Sequence, residues 1–187
     1  MASETNFAGL LEHLEQRLGP VQGVESAQSD RGNRGYDLTF YEVEEPRVST
    51  VVTNGVRFQR VSAVRPQELV CSLRPEQRDI AHYLVDSMAS MIIQEERGMV
   101  YGDIFRNSRP LVEGTEIVGL IGWTSPLFGA DFDVFSNAEA ATLQIVSLVP
   151  VTGYEIDFVR DEGPDMLFEV FHLNRTNILD IHRESAV

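Results

Sequence analysis

Lysine is missing from this chain: all 15 basic residues are arginine. The simplest cause is codon usage in a G+C-rich genome, so the arginines alone are no evidence for anion recognition. Cysteine occurs once, at Cys71 within the apolar run Glu68–Leu73. That excludes an internal disulfide and suits a small core residue better than a nucleophile. No stretch approaches the eighteen or so apolar residues of a membrane span, and the opening MASETNF lacks the basic-then-apolar order of a secretory leader. These absences predict a soluble cytoplasmic protein. The four histidines stand singly, without HxxxH, HExxH or Cys/His spacing, and GxSxG, GxGxxG and Walker patterns are missing. Neither a metal, nor a cofactor, nor a nucleophilic enzyme is therefore indicated.

What the chain does have is acid. Residues 1–110 hold 16 acidic and 12 basic side chains, residues 111–187 hold 13 and 3, so the two parts contribute −4 and −10 to a net charge of −14. Such a field repels nucleic acid and anionic lipid and accelerates encounter with a basic protein, although solubility alone also accounts for it. At 187 residues the chain suits one domain over 1–187 with a full core.

Thr5–Leu18 has apolar residues at helical spacing and stops at Gly19–Pro20. The polar stretch Gln22–Gly35 reads as a loop whose RGNRG core is a turn more readily than an anion site. Four candidate strands follow, Tyr36–Val43, Val48–Thr53, Val56–Val61 and Glu68–Leu73. Asn54–Gly55 is either a hairpin turn or the start of a loop. Pro75 opens a helix to about Arg97, with Ile80, Leu84, Val85, Met88, Met91 and Ile92 on its apolar side and Gly98 as its stop. A strand is predicted over Glu116–Ile121, and Gly122–Asp133 is predicted to cross the surface before Phe135. Leu143–Val149 is a buried strand that Pro150 ends, and Thr152 and Glu155 match a capping box, stapled by Val151 and Ile156, for a helix Gly153–Asp161. After a break at Gly163–Pro164 comes a short helix Asp165–Phe171, then a tail, 173–187, that either docks or stays loose. Strands in two groups around a long helix, without regular alternation, predict an α+β fold with a mixed or mainly antiparallel sheet.

Two constellations carry candidate chemistry. Asp79, His82 and Asp86 stack at i, i+3 and i+7 on the polar side of the long helix, where carboxylates could orient the imidazole, though a solvated face explains them equally. Trp123, Phe128, Asp131, Phe132 and Asp133, with Leu127, Phe135 and Glu139 nearby, interleave aromatic residues with acid as a protein-binding patch does. Core packing is the competing reading of the same aromatics.

Four segments in order resemble the Suppressor of fused domain family: Val51–Val56 (VVTNGV), Pro66–Leu73 (PQELVCSL), Gly102–Asp103–Ile104 with Pro110–Leu111, and Leu143–Glu155 (LQIVSLVPVTGYE). Together they span about residues 50–160. The serine that usually follows the T-x-G motif is Arg57 here. The resemblance implies a non-catalytic binding module. Animal members restrain Gli transcription factors with the help of a second domain, for which this chain is too short. Bacterial members resemble immunity proteins that neutralise a cognate toxin, and a basic toxin would suit the charge. The oligomeric state is left open by the sequence.

Overall fold

The computed structural model describes residues 7–30, 32–138 and 142–187. Its elements are α1 (Leu10–Leu18), β1 (Gly23–Glu25), β2 (Gln28–Ser29), β3 (Gly32–Asn33), β4 (Asp37–Glu44), β5 (Arg47–Asn54), β6 (Gln67–Leu73) and α2 (Arg78–Gln94). They continue with β7 (Ile104–Arg106), β8 (Ile117–Trp123), α3 (Ala130–Asp133), β9 (Val134–Ser136), β10 (Thr142–Thr152), α4 (Gly153–Glu162) and α5 (Pro164–Leu173). The main sheet runs β1-β4-β5-β6-β10-β8-β7, with β9 also on β10, and β2 and β3 form a small hairpin. Among the described strands only β6 and β10 pair in parallel, through Gln144–Ser147 against Gln67–Val70. The fold is α+β with a mixed sheet.

Both faces of the sheet are covered, which is why its central strands read as continuous apolar runs. Period two divides them. Val51, Leu69, Cys71, Val146 and Leu148 face α2, where Leu84, Val85, Met88 and Ile92 are buried. Val52, Val70, Leu143 and Ile145 face the other way, onto Leu10, Leu14, Phe132 and Phe135 from α1, α3 and β9. Toward β8, the helices α4 and α5 cover Ile121, Val149 and Val151.

The structure corrects several expectations. Val56–Val61 is no strand: Gly55, at φ 132, turns the chain into a 3-10 turn over Val56–Phe58, so Asn54–Gly55 opens a loop; the hairpin between β4 and β5 turns at Glu45–Pro46, in the break between the first two predicted strands. Pro150 does not end its strand. The parallel ladder to β6 is already over at Ser147, while the partnership with β8 runs on to Thr152 and sets Pro150 opposite Leu120. Gly98 is not the stop of α2, since Glu96 takes the left-handed conformation at φ 52 two residues earlier. The capping box of α4 is present with both reciprocal bonds. Residues 174–187 dock: Ile181 is fully buried, and the Gln77 amide oxygen accepts its backbone N–H at 3.1 Å. The predicted start of α1 at Thr5, the first arginine of RGNRG and Glu139 lie outside the described residues.

Candidate protein-binding surface

Two of the four family-like segments build one object. Glu68, 1% exposed, begins β6 with its carboxylate turned into the bend after β5. The Thr53 hydroxyl donates to it at 2.6 Å and the backbone N–H groups of Gly55 and Val56 at 2.9 and 3.2 Å, and the Arg57 guanidinium forms an ion pair with it. The same Thr53 oxygen accepts the Leu69 N–H at 2.8 Å. Burial pushes the Glu68 carboxyl up and Arg57 pulls it back. Burial wins, so the carboxyl lies above its ordinary range, while the groups facing it are donors that suit the ionised form.

The closing segment builds a second such site. Glu155, fully buried, accepts from both terminal nitrogens of Arg183 at 2.5 and 2.7 Å, from Thr152 N–H at 2.9 Å and from Ala186 N–H at 2.9 Å. Gly102 and Asp103 form a turn bonded to both sides of Gly122 on β8. These motif residues therefore serve the fold.

The polar helix constellation is not assembled as its spacing suggests. His82 Nε2 lies 2.9 Å from a carboxylate oxygen of Glu25, which β1 brings across, and its ring stacks on Phe40. Asp86 instead accepts from the Tyr36 hydroxyl at 2.8 Å and sits 3.4 Å from Arg34, while Asp79 is exposed. Partial burial raises the Glu25 carboxyl, but Arg34 and His82 outweigh it and hold it below its ordinary range. Burial pushes the Tyr36 hydroxyl up to about 12. Arg34, the second arginine of RGNRG, is engaged by Glu25 and by the Tyr36 carbonyl and is not presented to an external anion. Among the described residues no cluster of three or more His, Cys, Asp or Glu side chains could hold a metal, and no helix is long and apolar enough to cross a membrane.

The aromatic and acidic segment divides in two. Phe132 is fully buried between α1 and the sheet, so it cannot serve as a surface anchor, and Phe128 is half-buried against it with ring centroids 5.0 Å apart. A one-turn helix had no signal strong enough to separate Phe132 from its exposed neighbour Asp131, which lies 3.9 Å from Arg17. Asp133 is also buried, accepting the Ser125 N–H at 2.6 Å. Trp123 belongs to a different place. It is half-buried and stacked flat on Phe168 of α5 at 4.8 Å and 8°, with Tyr101 tilted beside it.

Burial raises the Asp133 carboxyl to about 6 against the opposing effect of the Ser125 N–H. The folded state thus holds a proton that the unfolded chain releases near pH 4, and this contribution to stability is lost as pH rises from about 4 through 6. Asp133→Asn keeps an acceptor for Ser125 and carries no charge. We expect it to raise unfolding free energy at pH 7.5 by about 1 kcal/mol and to remove this falling limb from urea unfolding measured across pH 4–7. An unchanged pH profile would contradict the burial argument.

What faces solvent is the C-terminal helical layer. On α5 the exposed residues are Asp165, Met166, Glu169, His172 and Leu173, one continuous face at i, i+1, i+4, i+7 and i+8. On α4 they include Tyr154, Asp157, Asp161 and Glu162. Asp157 is held by Arg106 and Arg160, whereas Asp161, Glu162, Asp165 and Glu169 join no ion pair among the described residues. The layer is rigidly mounted. Phe168 is stacked on Trp123 and edge-on to Phe171, and the guanidinium of Arg183 lies 5.1 Å from the Phe171 ring centre.

The sequence matches the Suppressor of fused protein (SUFU) family over residues 32–184. The chain belongs to the Suppressor of fused family. A SUFU homolog from Neisseria gonorrhoeae has the same fold, with a TM-score of 0.73 at 16% identity over 97% of this chain and 96% of that one. A chain of the Sufu-Fu complex crystal structure gives 0.71 at 12% identity, over 96% and 91%. Drosophila Suppressor of Fused gives 0.60 at 13% identity, over 80% of this chain but only 42% of that chain. No curated protein matches the sequence. The four segments that carry the resemblance form two buried carboxylate sites and a turn in this chain.

Proposed function

We propose that this Suppressor of fused domain is a protein-binding module without catalysis of its own, acting as a toxin-neutralising immunity protein in a bacterial polymorphic toxin system. The observation that carries the reading is the C-terminal helical layer, which pairs unneutralised acid with exposed Tyr154, Met166 and Leu173 on a rigid mount. The polar groups elsewhere that could have done chemistry, Glu68, Glu155 and the His82–Glu25 pair, already have partners within the fold. A relative in complex, Sufu with Fu, supports binding as the mode of action. The mechanism is occlusion: the acidic field steers a basic toxin domain into contact, and apolar residues then hold it.

Co-expression with the product of the adjacent gene tests this. The neighbour alone should arrest growth, and the two together should restore it and co-purify. A harmless neighbour, or one that stays lethal beside this protein, overturns the immunity reading. Capture of a housekeeping or signalling protein from the native host in its place would move the domain to a regulatory scaffold.

A further inference from the structure

We infer that the outer face of α5 is the docking stripe, and that its occupant is a basic amphipathic helix of the partner; this rests on the binding-module reading above. The inner face of the helix is taken by Leu167 and Phe171, buried, and by Phe168 against Trp123. The outer face keeps Met166 at 42% and Leu173 at 69% exposure, seven residues apart, with Asp165 and Glu169 beside and between them. Seven residues are two helical turns, roughly 10 Å along the axis, the spacing at which a partner helix repeats its own apolar side chains.

A helix fits this face better than a strand does, because an incoming strand needs free backbone donors and acceptors and the middle of a helix offers none. The charge of the occupant follows from the surroundings. Asp161 and Glu162 end α4 just before this helix and Asp165 and Glu169 lie on it; of the nearby exposed arginines, Arg160 is already 3.3 Å from Asp157 and Arg175 lies beyond the C-terminal end of α5. His172 is the other basic-capable group on the stripe. Lysine or arginine flanking two apolar residues complements the pattern, whereas an acidic or purely apolar segment does not.

The test uses the full isotope-labelled chain and a defined probe, an amphipathic helical peptide made only of leucine and lysine, followed by backbone chemical shifts. Shifts should concentrate on residues 161–173. Asp165→Arg with Glu169→Arg should weaken binding by about tenfold at 50 mM NaCl and far less at 500 mM, because screening shortens the reach of exposed charges. Met166→Ser with Leu173→Ser should weaken it about fivefold at both salts. Glu44→Arg with Glu45→Arg, on the exposed turn between β4 and β5, should change it less than about twofold. Shifts centred elsewhere, an equal effect of the control pair, or absence of binding would overturn the inference. A neighbouring toxin neutralised equally well by the α5 variants would overturn the inference and leave the binding-module reading standing; a toxin not bound by the unaltered chain overturns that reading itself.

Discussion

Arg183→Met should lower unfolding free energy by about 3–5 kcal/mol, although the residue lies outside every helix and strand of the described residues. Its two terminal nitrogens hold a fully buried Glu155 and one of them also reaches the Pro150 carbonyl at 2.9 Å. Removing the guanidinium leaves an anion in the interior with only the Thr152 and Ala186 N–H groups to hold it. Glu155→Gln should be nearly as damaging, since it strands the buried Arg183 cation. The double variant Glu155→Gln/Arg183→Met removes both charges and should lose at least about 1 kcal/mol less than the sum of the two singles. Urea unfolding of the four proteins checks this. Single losses under about 1 kcal/mol, or strict additivity, would show that the pair is not a coupled buried site.

Glu68→Ala should be the other severe substitution, again by about 3–5 kcal/mol. It orphans the Thr53 hydroxyl and two backbone N–H groups, and leaves Arg57, 11% exposed, without its counter-charge. Since whole domains are stable by about 5–15 kcal/mol, this variant will be near the limit of folding. Thr53→Val gives a measurable companion: it removes one donor to Glu68 and the acceptor of Leu69 N–H, and should cost about 1–2 kcal/mol. Arg57→Ser should lie between the two, because a hydroxyl can donate to the carboxylate but supplies no charge. A Glu68→Ala protein as stable as the parent would refute the donor-cradle account.

These two sites show what the sequence could reveal and where it stopped. The long helix α2 and the β10–α4 junction were legible because each rests on local patterns: apolar spacing in one, and Thr152 three residues before Glu155 in the other. Neither guanidinium partner was legible, since Arg57 reaches Glu68 across 11 residues and Arg183 reaches Glu155 across 28, and no local period links them. Reading Val56–Val61 as a strand followed its apolar patterning, which lost to the need of the Gly55 and Val56 N–H groups to turn inward onto Glu68. The aromatic segment failed as a unit for a similar reason. Trp123 ends β8 while Phe132 sits on a helix of one turn, and the long-range topology sends them to different clusters. The α5 face had a usable signal in the i, i+1, i+4, i+7, i+8 order of Asp165, Met166, Glu169, His172 and Leu173. It could be told from an inward face only once Phe168 and Phe171 were seen to turn the other way.

The central claim is that this domain works by binding a basic protein through its C-terminal helical layer. Isothermal titration of the purified chain against the adjacent gene's product, an inactivated variant if the product is toxic, tests it most directly. A stoichiometric complex whose affinity falls steeply with salt, and falls further when Asp165 and Glu169 are reversed, is the predicted result. A purified pair that shows no binding heat and no complex, or a complex indifferent to salt and to both reversals, would contradict it.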